Sequence, residues 1–389
     1  MKFIGEFVQE IRQNRSDYTR LFGETDINEK LESELCKELK ERWHPIPLGD
    51  SPYSNEYAVD SSSASRTLEN GVEFFITRGL MIGTSGEARK KLNLKMRRGS
   101  TDVSYSFNYE RILRDLIEIE VVNENIESIP QNSIILLDGN LHGRYTHLIG
   151  APFGDQTEGV SLSALSVDLI DAMQRLYEHC LRHKVLVVGV SKFSKTQNYA
   201  IALKRELGYG EVETEYLDVE MLYRWKTGET GITQPILLGL SEDQKSVQSS
   251  RFNQLKNALK KSERSQYKRR INALNEYGGA PAIVMYHLLA KEHHQPLRVD
   301  IPACFLGLNY NIANSPHLEF IDPGLVSNVT RQVASDFGGR DVYNALLYVV
   351  DKEVRLSGKI VDTVYKSVLA EELGVPMNYD RSSRRFAYA

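Results

Sequence analysis

Cysteine is nearly absent from this chain: Cys36, Cys180 and Cys304 are the three among 389 residues. An odd count at wide spacing excludes a disulfide framework and a cysteine-rich zinc site. Tryptophan is scarcer still, and no apolar run approaches the ~20 residues that a membrane-spanning helix needs. The N-terminal stretch from Met1-Lys2-Phe3-Ile4 is amphipathic and lacks the apolar centre of a signal peptide. An excess of charge of one sign is missing too, since 48 Lys and Arg against 52 Asp and Glu leave a net charge of −4. That balance does not draw the whole chain to polyanions, so any contact with nucleic acid rests on local basic patches. What is present is 41% apolar residues, enough to bury a sizeable core. These features lead us to expect a globular, cytoplasmic protein without membrane contact.

Residues 1–45 read as an N-terminal helical arm for packing or dimerisation. Phe3, Ile4, Phe7, Val8 and Ile11 follow helical spacing, and Leu31, Leu35 and Leu39 repeat every four residues. Pro45, Pro47 and Pro52 mark a linker. The body beyond it alternates strands and helices. Residues 57–60 read as a strand closed by a serine-rich turn (Ser61, Ser62, Ser63, Ser65), 72–82 as a strand, and 101–107 as a half-buried strand. A helix follows over 109–122. Two all-apolar runs, 133–137 and 185–190, fit buried strands flanking a helix at 162–183. Residues 241–295 read as a basic helical insertion, 303–308 and 317–321 as strands, and 341–373 as a helical tail. The fold class is therefore α/β, a sheet flanked by helices and elaborated at both ends.

Two apolar strands end in aspartate: Val59-Asp60-Ser61 and Leu137-Asp138-Gly139. A carboxylate at the end of a buried strand is costly unless it is paired or binds a cation, although a helix or turn cap is the simpler role. On the helix over 109–122, a turn of 100° per residue puts Glu120 inside the apolar stripe and Glu118 with Arg111, Arg114 and Asp115 on the polar face. Asp351 borders the apolar stripe of the tail helix. Asp60, Glu120, Asp138 and Asp351 are hard oxygen donors that suit Mn²⁺ or Mg²⁺, and carboxylates holding two such ions serve in-line attack on phosphodiesters. The run Gly189-Val190-Ser191-Lys192-Phe193-Ser194-Lys195-Thr196 nearly fits a nucleotide-binding P-loop but has Ser194 where glycine is required. The other reading of Lys192 is a contact with the scissile phosphate. Two basic islands are candidate phosphate tracks: Arg89, Lys90, Lys91, Arg97 and Arg98, then Lys260, Lys261, Lys268, Arg269 and Arg270.

Three segments, Ala58-Val59-Asp60-Ser61-Ser62-Ser63-Ala64-Ser65, Leu136-Leu137-Asp138-Gly139-Asn140-Leu141 and Val188-Gly189-Val190-Ser191-Lys192, resemble the NurA family of DNA-repair nucleases. The tail Tyr343-Asn344 to Val350-Asp351 is similar to that family's closing motif of a tyrosine, usually a proline, and a metal-binding residue eight positions on. Two departures stand out: Ser61 follows Asp60 where glycine is usual, and Asn344 replaces the proline. The family glutamate falls on either Glu118 or Glu120, and helix phase favours Glu120. The resemblance implies an RNase H-like core over 55–240 and 296–389. It implies manganese-dependent 5′-to-3′ exonuclease and single-strand endonuclease activity on DNA. It also implies a homodimer working with a hexameric HerA ATPase in end resection for recombination repair, associated with the nucleoid. In that setting Lys192 stabilises charge on the phosphate, and Tyr343 orients water or stacks on a terminal base. Two alternatives are a P-loop-like nucleotide-dependent motor and a non-enzymatic DNA-repair adaptor.

Overall fold

The protein's structure, a computed structural model, describes residues 3–18, 29–98, 103–150, 162–210, 216–226, 228–259 and 264–375. Eleven strands join in one sheet: β1 (Trp43–His44), β2 (Asn55–Thr67), β3 (Val72–Gly83), β4 (Ala88–Arg98), β5 (Ser133–Asp138), β6 (Leu186–Ser191), β7 (Gly231–Thr233), β8 (Ile236–Leu238), β9 (Ile283–Leu289), β10 (Leu297–Pro302) and β11 (Glu319–Phe320). Their order is β1-β7-β9-β10-β6-β5-β2-β3-β4, with β8 paired to β9 and β11. The pairs β2–β5 and β5–β6 are parallel. Their apolar runs fit that arrangement, because strands covered on both faces need no polar alternation.

The helices are α1 (Ile4–Gln13), α2 (Glu29–Glu41), α3 (Val103–Asn123), α4 (Leu141–Gly150), α5 (Leu162–His183), α6 (Asn198–Glu206), α7 (Asp218–Lys226), α8 (Glu242–Ala258), α9 (Arg264–Glu276), α10 (Ser327–Ser335), α11 (Ala345–Val354) and α12 (Lys366–Leu373). On one face of the sheet, Val59, Ile135 and Leu137 pack with Ile112 and Leu116 of α3 and with Leu169 and Met173 of α5. On the other, Ala58, Leu136 and Val190 pack with Val329 and Val333 of α10 and with Leu347 and Val350 of α11. Among the described residues no helix is long and apolar enough to cross a membrane.

Four local expectations change. The serine run does not turn but extends β2, because both faces offer partners. Ser61 Oγ donates to Glu118 Oε1 (2.6 Å), Ser63 and Ser65 donate to Glu110 (2.6 and 2.8 Å), and Ser62 Oγ accepts from the Leu356 backbone N–H (2.9 Å). The alternation of Val103, Tyr105 and Phe107 belongs to the start of α3, whose 3.6-residue period over 21 residues outweighs a short period of two. The basic insertion is helical in α8 and α9 but ends before β9, all seven residues of which are buried in the sheet. An apolar run of that length does not tell helix from strand by periodicity. Finally, 303–306 is a 3₁₀ turn rather than a strand.

The start of β2 carries a carboxyl pair. Gln332 Nε2 donates to Glu56 Oε2 at 2.8 Å and to Asp336 Oδ2 at 3.0 Å. Asn344 Nδ2 reaches Asp336 Oδ2 at 3.4 Å, while Asn344 Oδ1 accepts from Leu347 N at 2.8 Å and caps α11. Burial first, then the neighbouring Asp336, pushes the Glu56 carboxyl up to about 8. A carboxyl raised on folding keeps a proton that the unfolded chain releases. Its stabilisation is therefore present below about pH 4.5 and lost as pH climbs to about 8. Glu56→Gln should flatten that decline, raising the midpoint of thermal unfolding by about 3 °C or more at pH 8 and little at pH 4.5. Melting curves at the two pH values check it; an unchanged difference would show that the pair does not share a proton.

Candidate active site

The parallel register Val59↔Leu137 sets Asp60 beside Asp138 on neighbouring strands, and strands in a sheet lie about 4.8 Å apart. Both aspartates point to the face covered by α11. Asp138 ends β5, and Gly139 turns the chain at φ +106°, a conformation that favours glycine. On the next strand a Cβ at position 189 would stand 2.6 Å from the Gly139 carbonyl oxygen, so Gly189 lets the two strand ends close up. Beyond it β6 ends at Ser191 and Lys192. This is the carboxyl edge of parallel strands, where α/β sheets bind ligands.

From the opposite side α11 brings Asp351 and the residue before its cap, Tyr343. Lys192 Nζ lies 4.4 Å from the Tyr343 ring centroid. Asp60 is only 8% exposed. Burial, then Glu118, Asp138 and Asp351, pushes its carboxyl up to about 8, against the pull of its hydrogen bond from Ser61 N. Burial raises Asp138 as well, opposed by Lys192, the Tyr343 hydroxyl and Arg144. The Tyr343 hydroxyl and Ser191 Oγ are buried without a hydrogen bond of ordinary geometry.

The glutamate that the fold brings beside Asp60 is Glu118 and not Glu120, the one that helix phase favours. Glu118 is buried, accepts from Ser61 and pairs with Arg144, whose Nη2 also reaches the Asp138 carbonyl oxygen at 2.9 Å. Burial raises its carboxyl, with Arg144 opposing. Glu120 instead points away and pairs with Lys91 at 2.9 Å. Helix phase misled because α3 is covered on two sides. One is the apolar contact with α5; the other, holding Asp115 and Glu118, abuts the strand ends. Arg144 was missed altogether, and its signal in the sequence is faint: a lone arginine six residues after Asp138.

The basic islands divide. Lys90, Arg98 and Lys268 are exposed and Arg89 is half-buried. Lys91 pairs with Glu120 and Glu124, Arg97 is buried against Glu73, and Arg269 and Arg270 pair with Asp168. Lys91, Arg97, Arg269 and Arg270 thus have carboxylate partners within the chain, while Lys260 and Lys261 lie outside the described residues. The P-loop-like run does not cradle phosphate. Asp218 occupies the N-terminus of α6, accepting from Thr196 Oγ1, Tyr199 N and Ala200 N, each at 3.0 Å. An anion is already seated where a phosphate would dock.

Do these residues fit divalent ions? The donors are hard oxygens, and Asp60 resists ionisation beside its like-charged neighbours. A shared cation relieves that repulsion. Among the described residues no three Asp, Glu, His or Cys side chains already stand at metal-holding spacing, so the fit rests on donor chemistry and electrostatics.

The NurA domain family matches residues 55–355, most of the chain. The chain belongs to the NurA family. Among solved structures, the NurA nuclease from Sulfolobus solfataricus superposes with a TM-score of 0.58 at 14% identity, covering 96% of this chain and 98% of that one. A second NurA crystal structure gives 0.51 at 11% identity, covering 94% and 96%. A third, of NurA with manganese, gives 0.49 at 11%, covering 90% and 98%. No curated protein sequence matches the chain. At these identities the likeness is one of fold: this NurA-family chain has the RNase H-like arrangement, a mixed sheet flanked by helices.

Within the site, Arg144→Met should leave Glu118 buried without its partner and cost about 3 kcal/mol or more. Lys91→Met, which releases the half-exposed Glu120, should cost less than about 1 kcal/mol. Denaturant titrations of both variants check the contrast; equal losses would remove Glu118 from its special position.

Proposed function

We propose that this chain is a metal-dependent deoxyribonuclease that hydrolyses phosphodiester bonds. The observation that carries the reading is the approach of Asp60, Asp138 and Asp351 beside the carboxyl end of β5, where burial and like charge raise the carboxyls of Asp60 and Asp138. In this reading Asp60, Asp138 and Asp351 hold two Mn²⁺ or Mg²⁺ ions, with Glu118 in the place first given to Glu120. Bound there, the ions would lower the pKa of water and offset charge gathering on the phosphate.

The chain's own groups complete the chemistry. Lys192 lies beside Asp138 and presents its ammonium at the phosphate, where charge develops. The Tyr343 hydroxyl, beside Asp138, orients a water molecule. Arg144 acts one layer back, fixing Glu118 and the Asp138 carbonyl. Lys90, Arg98 and Lys268, exposed cations of the basic islands, contact backbone phosphates without reading sequence.

Membership in the NurA family supports the finer reading: 5′-to-3′ exonuclease and single-strand endonuclease activity in DNA end resection, by a homodimer bound to a HerA-type hexameric ATPase. The apolar stripe Phe3, Ile4 and Phe7 of α1 is exposed and supports a surface for a protein partner. Asp218 at the start of α6 argues against a nucleotide motor within this chain.

Asp138→Asn should lower cleavage of a labelled oligonucleotide in Mn²⁺ by at least about 100-fold, while DNA affinity in EDTA stays within about twofold. Full activity in that variant would remove the carboxylates from the mechanism. In the same assay Glu118→Gln should be severely impaired and Glu120→Gln should cleave like the parent; the reverse pattern would restore Glu120.

A further inference from the structure

A cleft of about 890 Å³ is lined by Lys192 and Tyr343, two neighbours of Asp138, and continues past Phe193, Tyr223, His293 and Arg340. Its walls hold two large aromatic rings in the solvent: Phe193 is 68% exposed and Tyr223 61%. Neither packs a core. Phe193 also sits at φ +55° and His293 at φ +59°. Left-handed backbone is uncommon for such side chains and persists where the surroundings enforce it. Two loops from different parts of the chain, one after β6 and one between β9 and β10, thus spend strain to present side chains to the same cleft. The loop carrying Phe193 is anchored by Thr196 Oγ1, which donates to Asp218 at 3.0 Å.

We infer that this cleft seats the unpaired bases of single-stranded DNA on either side of the scissile phosphate, with Phe193 and Tyr223 as stacking platforms. The inference rests on the nuclease reading for the identity of the polymer. Exposed rings gain a stacking partner only from bases whose faces are free, which a duplex does not offer. Charge argues the same way. Lys192 and Arg340 are countered by Glu220 and Asp341 on the same walls, so phosphate attraction alone is weak and the rings supply the grip. The near-P-loop run gains a role here: Ser191-Lys192-Phe193 places a cation at the phosphate and a ring at the adjoining base.

The test uses the full chain in EDTA, so that binding is read without cleavage. Anisotropy of a fluorescein-labelled oligo-dT and of a blunt hairpin duplex is measured for the parent, Phe193→Ala, Tyr223→Ala and the double variant. Each single change should weaken oligo-dT binding by about 10-fold, the double change by more, and the hairpin should shift by less than about twofold. Phe193→Trp should keep parental affinity. Phe193→Gly, which relieves the positive φ, should melt no lower than the parent yet bind as weakly as the alanine variant. Parental oligo-dT affinity in the double variant, or an equal loss on the hairpin, would overturn the inference. A Mn²⁺ digest separates the two readings. No cleavage by the parent, with the binding pattern intact, removes the nuclease and keeps the cleft; cleavage with unchanged binding in the double variant does the opposite.

Discussion

Repulsion between buried carboxylates is the constraint on which the centre of this molecule depends. Asp60, Asp138 and Asp351 come from residues nearly three hundred positions apart; beside burial, Glu118, Asp138 and Asp351 make the ionisation of Asp60 harder, and Asp351 that of Asp138. The fold holds them together in spite of that cost. The parallel register of β2 and β5 fixes two of them side by side. The Asn344 cap and its tie to Asp336 fix the start of α11, which carries the third. Arg144, itself buried between Glu118 and the Asp138 carbonyl, keeps a fourth carboxylate from joining the repulsion in full.

The contrast with other buried carboxylates decides which are structural. Asp300 accepts from Leu141 N and His142 N at 2.9 and 3.1 Å, starting α4, and Arg298 Nε donates to it at 2.7 Å. Asp218 does the same for α6, with His287 Nε2 at 3.3 Å. Both are fully buried and fully partnered, as buried polar groups in native proteins generally are. Asp60 has one backbone donor and like charges around it. Burial that is left unsatisfied in a cleft is the mark of a place built for something else to bind.

Much of this was legible in the residues alone. Asp60 and Asp138 announced themselves because an apolar run that stops at a carboxylate breaks the pattern of a buried strand, although β2 itself runs on past Asp60. Asp351 followed from helix phase on α11, where one covered face leaves little ambiguity. Phase failed on α3 because that helix is covered twice, so its polar side was a second buried side. The serines after Asp60 read as a turn because turn chemistry is local, whereas their partners on α3 and after α11 lie about fifty and three hundred residues away. The basic islands read as phosphate tracks because a sequence does not display ion pairs. Arg97, Arg269 and Arg270 are spent on Glu73 and Asp168 instead.

Calorimetric titration of MnCl₂ into the full chain, stripped with EDTA and held at pH 7.5 in two buffers of different ionisation heat, reads the central claim without any substrate. Saturable binding with release of protons, lost when Asp60 and Asp138 are both changed to asparagine, is expected, because a cation displaces the proton that repulsion keeps on Asp60. Absence of binding, or binding that the double change leaves intact, would contradict it.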